Sequence, residues 1–460
     1  MSRTSEYAPE VRAMLTLGLP LAGSLVAQVG LGATDTLMMG RYGVVELAAL
    51  TIATAYLFLL FMALSGFAWA AMPMMAEALA GGDEVRMRRV MRMTIWLTTA
   101  AGLLVLPLLL FSEVIFLLLG QSPEVAADAQ AYLAIAGWAI LPMLWVNVAK
   151  AYLSALERTG VILWATVLAL PLNGLINYAL IFGNWGLPEM GVQGAAVATL
   201  IVNSGVLVVL VLYARTQFPD HQLFVRLWRA DWPVVGRVFR LGWPISITSI
   251  SEAGLFSAAA LLMGRVGTVE LAAHGIAITL ASLTFVMHLG ISQAATVRAG
   301  RALGQRSLPD LHRAGRVSVA LSLVMAGLTM ALFLGLPRPL LTLFTDPADP
   351  AREAILATGV VLLAMAALFQ LMDGAQVIAL GLLRGLQDTE RPMYIAAFSY
   401  WVVGMPTSYL LGLVFGWGAV GVWMGLVIGL AVAGALLMWR FWGNMAQTLP
   451  PAVPETDPRT

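Results

Sequence analysis

Runs of about twenty apolar residues, the length that crosses a bilayer as a helix, recur from one end of this chain to the other. Nothing else in the sequence constrains the fold as much. Lipid offers no hydrogen bonds, so each such run must satisfy its own backbone N–H and C=O groups, and a helix does so within one segment. Twelve runs are legible, near 14–39, 46–75, 93–118, 130–155, 161–183, 193–214, 236–263, 271–298, 316–336, 354–383, 393–415 and 418–441. Polar or Pro/Gly-rich breaks such as GGDEVRMRR, GQSPEVAADAQ and TDPADPAREA separate them. The ten-residue alternating segments of a transmembrane barrel do not occur. The expected fold is an all-α polytopic membrane protein with twelve transmembrane helices.

Composition narrows the function. Only 11% of the 460 residues are charged, against ~25% in soluble domains. The net charge of +1 gives no polyanion signal, so no nucleic-acid partner is expected. There is no cysteine, which removes disulfides, thiolate metal sites and thiol catalysis. P-loop, GxSxG and HExxH motifs are missing. The chain is therefore expected to be no enzyme, to hold no cofactor and to draw no energy from its own ATP hydrolysis. The N-terminus lacks the basic and apolar pattern of a cleaved signal peptide. The Pro-rich end, residues 451–460, is expected to be a disordered cytoplasmic tail.

The basic residues alternate sides. Arg86, Arg88, Arg89 and Arg92 follow the second span, and Arg215, Arg226, Arg229, Arg237 and Arg240 follow the sixth. With the tails included, 22 of the 26 Lys and Arg fall on one side, leaving Arg41, Arg265, Arg338 and Arg352 on the other. The positive-inside rule then places both termini in the cytoplasm.

The chain also repeats itself. Residues 17–49, shifted by 224 without gaps, fall on 241–273, and fifteen of the 33 positions are identical. LGLP becomes LGWP, and MGRYGVVELAA becomes MGRVGTVELAA. A weaker match sets KAYLSALERTG (150–160) against LGLLRGLQDTE (380–390), at a shift of 230. The expected domains are an N-lobe over 1–220 and a C-lobe over 221–450, each of six spans. Because six is even, the halves enter the membrane in the same direction, related by a pseudo-two-fold axis along the membrane normal. That architecture points to a transporter whose path runs between the lobes.

Three acids lie inside spans: Asp35, Glu252 and Asp373. A carboxylate at the bilayer centre costs ~2.5–3.5 kcal/mol on insertion scales, so such a residue points to function. Their neighbours at helical spacing are polar or aromatic. Thr248, Ser249 and Phe256 accompany Glu252; Phe369, Gln370 and Gln376 accompany Asp373; Gln28 precedes Asp35 by two turns. Asn173 and Asn177 share a face of span five, where they either glue helices together or line a site. Span four adds Tyr132, Asn147 and Lys150. Lys150 is as well explained by snorkelling from a span end as by function, and His274 and His288 read as structural histidines. A structural ion pair of Asp373 with Lys150 or Arg384 is the rival explanation of that acid.

Four stretches together resemble the multidrug and toxic compound extrusion (MATE) family. They are GLPLAGSLVAQVGLGATDTLMMGRYGVVELAA, PLNGLINYALIFGNWGLPEMGVQGAAVAT, LGWPISITSISEAGLFSAAALLMGRVGTVELAAHGIA and DGAQVIALGLLRGLQDTERP. The resemblance spans nearly the whole chain and fits the NorM-like branch. It implies a V-shaped pair of lobes in the bacterial inner membrane, acting as a monomer. It implies export of amphipathic organic cations, dyes and fluoroquinolone-like drugs among them, in exchange for Na⁺ or H⁺ by alternating access, hence antibiotic resistance. Glu252 and Asp373 resemble a C-lobe cation site that would take Na⁺, with Phe256 beside it, and Asp35 resembles the N-lobe acid. Gln28, Tyr132, Asn147, Asn173 and Asn177 would support the cation sites, and Phe285, Phe369, Gln370 and Gln376 would line the substrate cavity. Lys150 departs from the family pattern, because an ammonium beside a cation site disfavours the bound ion. The alternative is a lipid-linked oligosaccharide or lipid flippase of the same superfamily. An arginine-rich cavity would be its mark, and the spans hold almost no arginine.

Overall fold

A computed structural model describes the backbone of residues 3–448 and the side chains of 7–443; the tail 451–460 lies outside the described residues. The described chain is helical throughout, with no strand. Twelve helices are long and apolar enough to cross a membrane. They are Tyr7–Tyr42, Val44–Ala80, Glu84–Leu110, Pro123–Ala155, Gly160–Ile181, Gly191–Gln217, Trp232–Val266, Thr268–Gly304, Leu308–Gly335, Arg352–Gly385, Glu390–Val414 and Gly418–Gly443. These are called spans one to twelve below. Several outrun the apolar stretch that the sequence displays, because helical hydrogen bonding continues into the polar ends. The run read as 93–118 divides instead. Phe111 leaves helical dihedrals (φ −114°, ψ 35°), and a separate short helix, Ser112–Leu118, follows it.

The repeat in the sequence reappears as repeated helix ends. Gly43 N–H donates to Met39 O at 3.1 Å, and Gly267 N–H donates to Met263 O at 3.1 Å, both between paired spans. Glu46 folds back against Gly43, and Glu270 against Gly267. The turn after span two puts Gly82 at φ 75°, and its counterpart after span eight puts Arg306 at φ 54°. The weaker match is just as regular: Glu157 and Gln387 both sit in the left-handed region, at φ 60° and φ 59°. In each, two bonds close the helix, Glu157 N–H to Ser154 O and Arg158 N–H to Leu153 O, repeated from Gln387 to Arg384 and from Asp388 to Leu383. Such crossed bonds satisfy carbonyls that a helix end would otherwise leave unpaired.

The chain packs as two compact units, and three of their four limits fall inside helices, in spans one, two and seven. One unit takes 76–83 with the described parts of 1–19 and 251–460; the other takes 20–75 and 84–250. A glycine in each unit permits a close crossing. In the first, Gly18 of span one lies against Gly290 of span eight. In the second, Gly242 of span seven lies against Phe67 and beside Gly66 of span two. Positions 18 and 242, and 66 and 290, are related by the same shift of 224. Spans eleven and twelve also approach closely through small residues: Gly404, Ser408 and Gly412 face Gly429, Gly425 and Gly421. Backbones come this near only where side chains are small.

The segment between spans six and seven is fastened to span four and to the start of span three. Tyr152 Oη and His221 Nδ1 are 2.6 Å apart and buried. Phe218 stacks on the same imidazole, with ring centroids 5.4 Å apart. Arg92 donates Nη1 to the carbonyls of Val225 and Arg226 at 3.0 and 2.9 Å. Tyr152→Phe strands the His221 ring, so it should cost about 1–3 kcal/mol and lower Tm in a detergent thermal-shift measurement. An unchanged Tm would mean that the ring stack and the Arg92 bonds fasten the segment without the hydroxyl.

Candidate functional site

Spans seven, ten and eleven bring Glu252, Asp373, Gln376 and Tyr400 into one cluster inside the first unit. Asp373 is 2% exposed, and Gln376 and Tyr400 are fully buried. Gln376 Nε2 donates to Tyr400 Oη and lies within hydrogen-bonding reach of the Glu252 carboxylate. Asp373 is an electrostatic neighbour of Glu252, and Arg384 is a neighbour of Glu252 and Tyr400. Tyr400 reaches the cluster from a wide π-type turn, Ser399–Gly404, within span eleven. Turns of this kind are common at functional sites because the extra residue re-aims a side chain.

A chain of aromatic rings borders the acids. Phe256 meets Phe369 edge-on at 5.9 Å, Phe369 meets Trp423 at 5.7 Å, and Trp423 meets His274 at 5.6 Å. Gln370 donates Nε2 to Ala281 O at 2.6 Å and to Thr284 Oγ1, pinning span ten to span eight. The polarity left over includes one indole donor, Trp423 Nε1, and the ring nitrogen His274 Nδ1, but oxygens predominate. Glu252 Oε1, Asp373 Oδ1, Gln370 Oε1 and Gln376 Oε1 are all buried acceptors with no partner. Native proteins rarely leave buried acceptors unmatched. Oxygen atoms gathered in this way suit a proton or a hard cation, which takes oxygen ligands.

A second acid site stands alone in the second unit. Asp35 is 9% exposed. Asn177 donates Nδ2 to Asp35 Oδ1 at 2.6 Å and to Asn173 Oδ1 at 3.3 Å. Asn173 is itself within hydrogen-bonding reach of the acid. Tyr132 is a close electrostatic neighbour, its hydroxyl 3.3 Å from Thr199 Oγ1. Asn177 Oδ1 is buried without a partner.

The other residues singled out in the sequence lie apart from these clusters. Gln28 is exposed. Asn147 donates to Ser65 Oγ at 3.2 Å, joining spans four and two rather than reaching Asp35. Phe285 is half-buried and outside the ring chain. Thr248 and Ser249 spend their hydroxyls on Pro244 O and Ile245 O of their own helix. Glu252 therefore owes its place to Gln376 and Arg384, not to a serine or threonine one turn away. Asp373 forms no ion pair with Arg384 among the described residues. Tyr400, Trp423 and Thr284 are the participants that sequence spacing did not mark. A tyrosine beside a Gly/Pro-rich stretch (SYWVVGMP) was the available signal for the first of them.

Twelve apolar helices, an internal repeat and acids buried within spans define a multi-pass membrane transport protein. The chain matches the MatE family over residues 20–179 and 244–410. It belongs to the MatE family. A protein described as "Probable multidrug resistance protein NorM" from Rhizobium meliloti (strain 1021) is 46% identical over 440 residues, 95% of this chain and 94% of that protein. A protein of the same description from Agrobacterium fabrum (strain C58) is 43% identical over 442 residues, 96% of this chain and 95% of the other. Among solved structures, a MATE protein in a bent conformation superposes with a TM-score of 0.86 at 18% identity, covering 95% of both chains. An outward-facing MATE multidrug resistance transporter gives a TM-score of 0.85 at 19% identity, covering 96% of this chain and 97% of that one.

Proposed function

We propose that this chain is a multidrug efflux antiporter that exports amphipathic organic cations in exchange for a monovalent cation, Na⁺ or H⁺. The observation that carries the reading is the charge balance at Glu252, Asp373 and Arg384. Glu252 has Arg384 as a charged neighbour, whose guanidinium stays protonated in proteins, whereas Asp373 has only Glu252. The cluster is therefore one positive charge short. One proton or one Na⁺ closes the deficit, and a buried uncompensated charge is costly enough that occupancy and conformation must be linked. Asp35, with only neutral amides as hydrogen-bond partners, is short by the same single charge.

In this scheme the cation enters from outside and neutralises the acids. Closure around the neutral site weakens the hold on the drug, and inward release of the cation restores the charge. The ring chain from Phe256 to His274 offers an organic cation apolar and cation–π contact beside the carboxylates. The names of the NorM relatives support multidrug export. The distribution of Lys and Arg supports cytoplasmic termini in the bacterial inner membrane, and nothing in the scheme requires more than a monomer of two six-span lobes.

Efflux of ethidium or norfloxacin from purified protein in liposomes, with Na⁺ and proton gradients imposed separately, tests the reading. Efflux driven by one gradient, saturating in drug, is the expected result. Drug flux that ignores both gradients, or no flux of any cationic drug, would sink the antiporter reading and favour the flippase.

A further inference from the structure

We infer that the basic cavity between the start of span three and the linker before span seven binds the phosphate of an anionic phospholipid headgroup. The cavity has a volume of about 630 Å³ and lies wholly within the second unit. That size is in the range of small-molecule sites. Its walls carry Arg88, Arg89, Arg92, Arg226 and Arg229 against one acid, Asp231. The acid is committed to Arg89, and loosely, at 3.7 Å. Arg226 and Arg229 are exposed and have no ion-pair partner among the described residues. Four positive charges in excess, packed into one concavity, repel one another unless an anion joins them.

The site is built rather than incidental. Arg92 is only 8% exposed, and its Nη1 is fixed by the carbonyls of Val225 and Arg226. Its Nε, and the Nε of Arg88, are buried donors with no acceptor. Arg88 Nη1 is held by Gln222 Oε1 at 3.1 Å. The linker turns through Gln222 (φ 44°) and Arg226 (φ 57°), left-handed conformations unusual for side chains of that size. Helical backbone at Arg226 would swing its guanidinium elsewhere, so the hold of Arg92 on this turn also sets the wall of the cavity. Guanidinium groups offer the paired donors that match a phosphate.

The aromatic surroundings select a lipid over a soluble phosphate. Trp232, which lines the cavity, is 69% exposed, and Trp228, between Arg226 and Arg229 on the linker, is 78% exposed. Trp96, two turns beyond Arg89 on span three, donates Nε1 to Leu227 O at 2.8 Å. Tryptophans placed so mark the headgroup level of a bilayer. Basic pockets at that level on membrane helices hold anionic headgroups. This inference stands on the second unit's linker and is independent of the acids and of antiport.

The test compares the full-length protein with Arg226→Gln/Arg229→Gln, whose replaced side chains support no part of the fold. Both are purified in detergent, matched for Tm and monodispersity, and titrated with phosphatidylglycerol by native mass spectrometry. Phosphatidylcholine of the same acyl chains, glycerol 3-phosphate and inorganic phosphate are titrated in parallel. Each basic residue near an anionic headgroup contributes roughly fivefold in affinity. The double variant should therefore bind phosphatidylglycerol about 25-fold more weakly, with phosphatidylcholine binding unchanged. Equal phosphatidylglycerol binding by the two proteins would overturn the site. Glycerol 3-phosphate or inorganic phosphate binding as tightly as the lipid, with the same dependence on arginine, would overturn the lipid assignment in favour of a soluble phosphate anion.

Discussion

Asp373→Asn should leave a folded protein that still binds drug and no longer couples efflux to an ion gradient. The asparagine keeps the size of the side chain and removes the one charge the cluster has in excess. Glu252 and Arg384 then balance, and no deficit remains for a proton or Na⁺ to fill. A balanced site has no differential affinity by which an ion could shift the conformational equilibrium, so gradient-driven efflux should fall to the rate seen without a gradient. Glu252→Gln should do the same. Because the two acids act on one bound cation, their effects on coupling should not add, while the double variant strands the Arg384 charge and should have a lower Tm than either single one. Drug binding measured at equilibrium by ethidium fluorescence should survive in all three. Arg384→Gln makes the opposite test. It leaves two uncompensated acids, so the cation dependence of efflux should steepen. Wild-type coupled efflux from Asp373→Asn would show that the coupling charge lies elsewhere, with Asp35 the next candidate.

The features that the sequence displayed best are those with a large local cost. Twelve spans stand out because a polar stretch of twenty residues cannot sit in lipid. Asp35, Glu252 and Asp373 stand out because a carboxylate in such a run is expensive. Helical spacing put Asn173 and Asn177 on one face, the family resemblance set them beside the N-lobe acid, and both lie within hydrogen-bonding reach of Asp35. What spacing could not give is the direction of a side chain relative to a distant helix. Gln28 aligns with Glu252 across the repeat, yet it is exposed while Glu252 meets Gln376 and Arg384. Asn147 has the right chemistry for the Asp35 cluster and meets Ser65 instead. Tyr400 enters its site only through a π-type turn, which no periodicity of 3.6 anticipates. The unit limits inside spans one, two and seven were hidden for a related reason. Within each unit a close crossing is made by glycines far apart along the chain, Gly18 on Gly290 and Gly242 beside Gly66.

Those glycines support the other large prediction. Gly66→Val should prevent accumulation of folded protein, while Gly18→Ala should be tolerated. A Cβ at position 66 would run into Gly242 O and Ser246 Oγ and lie 2.7 Å from the Ser246 amide nitrogen, most of it backbone that cannot move aside. A Cβ at 242 would stand 2.8 Å from Phe67 Cα. A Cβ at position 18 would find its nearest atom, Gly290 O, at 3.2 Å, a separation that a few tenths of an ångström relieve. Overpacking of a tight crossing costs about 1–3 kcal/mol per extra group, and valine adds two beyond the Cβ. Alanine in place of a helical glycine gains up to about 1 kcal/mol in propensity, which offsets the mild crowding at position 18. The two crossings are related by the repeat, 18 with 242 and 66 with 290, and yet differ in the room they leave for a side chain. Yield of monodisperse protein and Tm in detergent are the measurements. If Gly66→Ala and Gly18→Ala lower Tm equally, crowding by backbone is not what sets the crossing in the second unit.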